Sequence, residues 1–401
     1  MCLNGILTLQ IGYIFLWEEC KVKHRILILT TVGGFLPKFL EGHIQILKSL
    51  DAEIYYASNF SEPAYEYDAA YFGEHDIRTI PLPIEKSPYQ FRKNARALKR
   101  LVRFIREHQI DAVHCHNPVG GILGRLAGLL AGKRVKVIYT AHGFHFYKGA
   151  PVKNWVVYYG AERLMAYCTD SLVTINREDY EKARGFRLKK GGRLFRIPGV
   201  GFDLEKYACR PRDRADARKA LGVEEGEFCL VTGALLHPDK SYETILYALT
   251  HLSDIPFRYV ICGEGPYRQQ LEELTDRLGL RDRVTFLGFR RDMDFLLQGA
   301  DVFVFPSVRE GLGMAALEAM ACGIPVIAAD NRGTREYMEH GRNGIVCPAG
   351  DERAFARAIR ELWENPDRRA AMGENALRDA RPFGAEQAAA SIREVYEKSL
   401  A

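Results

Sequence analysis

A chain of 401 residues, 47% of them apolar, exceeds what one typical core organises and can fill two, so a two-domain protein is expected. Its 56 cationic and 51 anionic side chains leave a net charge of +5, which argues against a dedicated nucleic-acid binder and leaves room for anionic small ligands and a membrane surface. Nine scattered cysteines without a Cys-x-x-Cys pair argue against a disulfide framework or a thiolate metal site, and point to a reduced, cytoplasmic protein.

The chain opens on an apolar run, Leu3 to Trp17, that is interrupted by Asn4 and Gln10 and is too short to cross a bilayer. No small-residue cleavage pattern follows a basic start, so a signal peptide is not expected. Trp17-Glu18-Glu19 can be encoded TGG GAG GAA, a purine-rich ribosome-binding sequence, and Val22 can be GTG, a bacterial start codon. Translation is therefore expected to begin at Val22, with residues 1–21 an extension of the reading frame. The charge then becomes 55 minus 49, or +6.

From Arg25 onward, apolar β-prone runs alternate with amphipathic stretches, the pattern of βα units on a parallel sheet. RILILTT is the first strand, and Val32-Gly33-Gly34-Phe35 leads it into a helix around Lys38 to Leu50. The two glycines suit either a phosphate-cradling loop or a tight strand-to-helix turn. Residues 86–106 carry eight basic side chains and no acidic one. On a helix, Leu98, Leu101, Val102 and Ile105 share one face and Lys93, Arg96, Arg100 and Arg103 another, with Tyr89, Phe91 and Phe104 as aromatics available to lipid. A second basic run, Lys182 to Arg196, has seven basic residues and no acid, so a docking surface for anionic lipid is expected.

IDAVHCH is the next buried strand, and its His114 and His116 lack a nearby carboxylate or thiolate, so they read as strand-end polar residues rather than metal ligands. RVKVIYT runs into Ala141-His142-Gly143-Phe144-His145-Phe146-Tyr147-Lys148. So many functional side chains after a buried strand mark a ligand site, because open α/β sheets bind at the carboxyl ends of their strands. An interdomain linker is expected at Pro198 to Arg212, and a second alternating series follows it. There, Gly263-Glu264-Gly265 fails as a dinucleotide fingerprint because Arg268 holds the third glycine position. Asp292-Met293-Asp294 reads as a helix start with Asp292 at the N-cap, not as a metal-binding pair.

The organising stretch is residues 301–330, DVFVFPSVREGLGMAALEAMACGIPVIAAD. Val302 to Phe305 is a buried strand stopped by Pro306. Glu310, Gly311 and Gly313 form a loop that a ligand can approach closely, and Met314 to Ala321 is a good helix former whose N-terminus suits anionic or hydroxyl-rich groups. Glu310 in the loop and Glu318 about two turns into the helix face one cleft from two depths.

With its flanks, this stretch resembles the motif of glycosyltransferase family 4, and YTAHGFHFYKGAP with TDSLVTINREDYEKA is similar to the subgroup that builds capsular, exopolysaccharide and O-antigen repeat units. The resemblance covers the chain from Arg25 onward. It implies an α/β GT-B fold, two Rossmann-like domains with parallel sheets facing each other across a cleft. Residues 22–200 would bind the acceptor, 201–384 the nucleotide sugar, and the helix in 385–401 would return to the first domain. The implied reaction is a retaining, metal-independent transfer from a UDP-sugar to a polyprenyl-diphosphate-linked saccharide, with no other cofactor, at the inner face of the cell membrane.

Position by position, the resemblance implies that Glu310 contacts the transferred sugar, Glu318 the ribose hydroxyls, and His142 the neighbourhood of the donor sugar and leaving phosphate. Lys240, with Gly33 and Gly34, would face the diphosphate. Gly263 and Phe289 would line the base pocket through their backbone, and Gly311, Leu312, Gly313 and Met314 would form the donor loop. His145, Tyr147 and Lys148 would serve the acceptor. One departure stands out: Ala234 occupies the place of the family's usual arginine. Arg335, or failing that Arg332, is expected to compensate. Two alternatives remain, a GT-B sugar-nucleotide epimerase and a catalytically impaired nucleotide-sugar binder.

Overall fold

In the computed structural model, residues 24–61, 65, 67–132 and 134–401 are described; the extension 1–21 and the start at Val22 lie outside them. The first sheet contains β1 (Arg25–Leu29), β2 (Glu53–Ser58), β3 (Ile77–Pro81), β4 (Ala112–His116), β5 (Lys136–Ala141), β6 (Ser171–Thr174) and β7 (Arg193–Arg196). All pairs are parallel, in the order β3-β2-β1-β4-β5-β6-β7. The second sheet contains β8 (Phe228–Gly233), β9 (Phe257–Cys262), β10 (Val284–Gly288), β11 (Val302–Phe305), β12 (Val326–Ala329) and β13 (Gly344–Cys347), also parallel, in the order β10-β9-β8-β11-β12-β13.

Parallel strands need helical crossovers, and those helices cover both sheet faces, which is why runs such as Ile26-Leu27-Ile28-Leu29 are buried at every residue rather than alternating. Each sheet reverses its winding direction beside its first strand, between β1 and β4 and between β8 and β11. The crevices at those reversals open at the strands' carboxyl ends, where His116, His142 and Glu310 follow.

The helix expected around Lys38 to Leu50 is two helices, Phe35–Phe39 and Glu41–Ser49, because fully buried Leu40 leaves helical dihedrals at φ −119°. The basic helix spans Phe91–Glu107 and buries Ala97, Leu101 and Ile105 while Arg96, Arg100 and Arg103 face solvent. Tyr89 and Phe91 are exposed, but Phe104 is not the free aromatic expected: its ring stacks on His108 and meets Tyr55. The second basic run is also less bare than its sequence, since Lys189 and Arg184 pair with Asp170 and Glu181 from outside the run.

The C-terminal helix Ala385–Leu400 lies against the first domain, where Tyr396 Oη is 2.8 Å from His114 Nδ1 and Ser399 Oγ is 2.7 Å from Ser171 Oγ. The domains also meet directly. Arg332 pairs with Asp179 at 2.8 Å with both side chains buried, Asn176 donates to the Gly311 carbonyl, and the Arg177 amide donates to Glu336.

Candidate active site

Pro306 ends β11, and the chain crosses the top of the second sheet as Ser307–Gly313 before helix Met314–Ala321 starts. Gly313, at the N-cap, has φ +90°, and a Cβ there would lie 2.9 Å from the Phe305 ring and the Tyr337 hydroxyl, so glycine is required. Gly311 is required for a different reason. Its Cβ would stand 2.0 Å from the His142 carbonyl oxygen, so the glycine loop passes hard against the histidine loop of the other domain. Leu312 is buried against Gly199, and Met314 opens the helix.

The carboxylate of Glu310 accepts from Lys240 Nζ at 2.5 Å. Lys240 stands after β8 in the short turn Pro238–Lys240. Both line a cavity of about 340 Å³ with His142, Gly143, Arg309 and Arg332, which brings the two domains' candidates to one place. Glu318 lies deeper, and its pKa is raised by burial against the opposing effects of the Tyr207 hydroxyl, Lys206 and Lys38. Lys38 reaches over from the first domain, with its ammonium 5.5 Å from the Phe289 ring.

His142 is half-buried between two spaces. It lines the Lys240–Glu310 cavity and a second of about 170 Å³ with Asn117, His145, Tyr158 and Glu162. Its Nε2 shares a hydrogen bond with His116 Nδ1 at 3.0 Å, and His43 and His114 continue the stack behind it. Burial holds the pKa of His142 down at about 4, and burial, then the neighbouring His142, holds His43 at about 3. Both are neutral at pH 7. The unfolded chain takes up these protons from about pH 6.5, so their contribution to stability is complete above 6.5 and is lost as pH falls toward 4. Thermal unfolding between pH 7.5 and 4.5 is expected to show that decline, reduced in His43→Leu.

The other expected residues lie around this centre, each with its own partners. Gly33 gives its amide to the Asn59 carbonyl at 2.9 Å, and a Cβ on Gly33 or Gly34 would strike Phe60 or Tyr65, so close packing of a turn accounts for both glycines. Gly263 must be glycine because a Cβ would sit 1.9 Å from the Ala234 carbonyl. Asp292 holds the N-cap position without capping; its carboxylate takes Arg290 instead, at 2.6 and 2.8 Å, and Asp294 takes Arg210. Arg335 is not available as the substitute for an arginine at position 234. It forks onto Asp330 at 2.6 and 3.0 Å, outside the cavity. Arg332 does line the cavity, and so does Arg309, which sequence reading missed; its nearest carboxylate is Asp239 at 3.7 Å. Tyr147 lies beneath both guanidiniums, His145 contacts the Tyr158 ring, and the Lys148 amide binds Glu178 with its side chain exposed.

The comparisons with known proteins agree with this geometry. Residues 47–199 match the family model "Glycosyltransferase Family 4" and residues 213–379 match "Glycosyl transferases group 1". The chain is 37% identical to EpsD of Bacillus subtilis, whose name describes a glycosyltransferase, over 93% of this chain and 96% of that protein. It is 30% identical to the UDP-Gal:alpha-D-GlcNAc-diphosphoundecaprenol alpha-1,3-galactosyltransferase of Escherichia coli, over 67% of this chain and 70% of the relative. In fold it is similar to Anabaena HepE in complex with UDP and glucose, with a TM-score of 0.77 at 23% identity over 93% of this chain and 99% of HepE. Two parallel-sheet domains with facing crevices are the GT-B arrangement, and the chain belongs to glycosyltransferase family 4.

Proposed function

We propose that this protein transfers a sugar from a UDP-sugar, with retention of anomeric configuration and without a metal, to a polyprenyl-diphosphate-linked saccharide in bacterial surface-polysaccharide synthesis. The observation that carries the reading is the cavity shared by Lys240, Glu310 and His142, in which the donor loop touches the histidine loop through Gly311. The name of the Escherichia coli relative, a galactosyltransferase acting on a diphosphoundecaprenol-linked acceptor, supports the acceptor class.

The difficult event is departure of a nucleoside diphosphate, so negative charge must be stabilised as it grows on the leaving phosphate. Lys240 supplies one fixed cation. Arg309, with its nearest carboxylate at 3.7 Å, stands at the same cavity and takes over what Ala234 cannot give, while Arg332, paired with Asp179, fixes the loop beside it. Glu310 aligns the transferred sugar and Glu318 holds the ribose. Neutral His142 offers or accepts one hydrogen bond without adding charge beside a developing oxocarbenium ion.

Ribose contacts persist unchanged into the transition state, so Glu318→Ala is expected to raise the donor KM by about tenfold or more with a smaller fall in kcat. Steady-state kinetics over a range of donor concentration separates the two parameters. Turnover is expected to survive EDTA, because Asp292 and Asp294 are held by arginines; loss of activity restored by Mn²⁺ would contradict this.

No helix among the described residues is long and apolar enough to cross a membrane. The exposed cations of helix Phe91–Glu107 support peripheral contact with an anionic inner membrane face instead. Radiolabelled UDP-sugars screened against polyprenyl-diphosphate saccharides test the proposal. Label entering the organic phase only when acceptor is present is the expected result. Conversion of the free nucleotide sugar without acceptor would favour an epimerase.

A further inference from the structure

Residues 152–166 form one continuous helical run, Val152–Asn154, a π-helical turn Trp155–Tyr159, and Gly160–Ala166. Its outward side is apolar, the reverse of an ordinary surface helix. Val152 is 78% exposed, Val156 71%, Val157 51% and Leu164 62%. The reason lies on the inner side, which is already filled. Trp155 and Tyr159 pack on Phe146, and buried Glu162 pairs with Arg125 at 2.7 Å and accepts from the Tyr139 hydroxyl at 3.0 Å. A π turn carries more residues than an α turn, so Val156 and Val157 are both left outside while the aromatics beside them turn in.

We propose that this segment is an interfacial element with two working faces. Its outer valines and leucine sit in the headgroup layer of an anionic bilayer, and its inner face walls the cavity that receives the saccharide of a lipid-diphosphate acceptor. The identity of the cavity's occupant rests on the transfer reading above; the lipid contact does not.

Charge selects the bilayer. The exposed charged residues of the run are Lys153 and Arg163, and its one acid, Glu162, is buried in a pair. Helix Pro118–Ala131, which packs on Gly160–Ala166, adds exposed Leu129 and Leu130, and the basic helix with its exposed arginines packs in turn on Pro118–Ala131. An apolar stripe with cationic flanks matches anionic lipid. Two copies of this chain meeting stripe to stripe would bring those cations together, which disfavours a self-interface.

The inner face points to a saccharide. Tyr158 and Glu162 line the cavity of about 170 Å³ beside His142, together with Asn117 and His145, a set rich in partners for hydroxyl groups. A further space of about 340 Å³ shares these walls and continues outward past Lys86, a cation placed for the acceptor's diphosphate. Val157 and Tyr158 are adjacent, so the lipid-facing side chain and the sugar-facing one are a single residue apart.

The test uses the full chain and vesicles of phosphatidylethanolamine and phosphatidylglycerol. Val152→Ser, Val156→Ser and Val157→Ser combined are expected to lower co-sedimentation at least about tenfold. The melting temperature and the turnover of a short-chain, water-soluble acceptor should stay unchanged, while turnover of the vesicle-borne acceptor falls. A wild type that does not bind vesicles, or a triple variant that binds equally well, overturns the outer-face assignment. So does a wild-type dimer that the three serines convert to a monomer in light scattering. Tyr158→Phe is expected to raise the acceptor KM severalfold and leave the donor KM alone; a rise in the donor KM instead overturns the inner-face assignment. If no lipid-diphosphate acceptor is ever used, the transfer reading fails, and vesicle binding still decides the outer face by itself.

Discussion

Glu310→Gln is expected to lower kcat by roughly 10- to 150-fold, the equivalent of losing one charge-assisted contact worth about 1.5–3 kcal/mol at the reacting centre. The carboxylate is held 2.5 Å from Lys240 Nζ, on a loop fixed by two obligatory glycines, so neither partner needs to reorganise when charge moves. Gln keeps the shape and removes the charge. Nucleotide affinity, measured by calorimetry with UDP, should change far less than kcat, because in the proposed function the nucleotide is held elsewhere, at Glu318 and the helix start. A variant with full kcat would remove Glu310 from the centre of the reaction.

Asp179→Ala is expected to destabilise the protein by about 3–5 kcal/mol, because it strands the buried guanidinium of Arg332 without its partner. The consequence reaches the site. Asp179 also accepts from the Phe144 amide at 3.0 Å, and Arg332 Nε donates to the Glu310 carbonyl at 3.0 Å, so one ion pair ties the histidine loop to the donor loop. Denaturant unfolding gives the stability change. Asp179→Leu combined with Arg332→Met should recover stability lost by Asp179→Leu alone, since two apolar side chains leave no buried charge, yet activity should stay low because the tether is gone. Equal stability of Asp179→Ala and wild type would contradict this role.

Much of this was legible in the sequence because it depends on local pattern. Buried parallel strands read as apolar runs, and the Pro306 stop, the loop glycines and the carboxylate spacing from Glu310 to Glu318 are written in consecutive residues. What was not legible depends on distant parts of the chain meeting. Nothing local marks Arg309, which only folding sets on the cavity, and Arg335 looked available although the folded chain holds it on Asp330. The glycines at 33 and 34 carried two readings because a turn and a phosphate loop have the same local chemistry, and the close approach of Phe60 and Tyr65 that requires glycine there comes from distant residues. The outward stripe of the 152–166 run was hidden for a related reason. An apolar periodicity does not say which side of a helix is already occupied.

The site itself is tested most directly by amide hydrogen exchange with and without UDP. Slowed exchange is predicted in residues 233–240 and 310–318, on the two loops that hold Lys240, Glu310 and the start of the Glu318 helix. Protection confined to the cavity of about 700 Å³ around Lys48 and Arg78, or no protection at a UDP concentration that saturates binding, would contradict it.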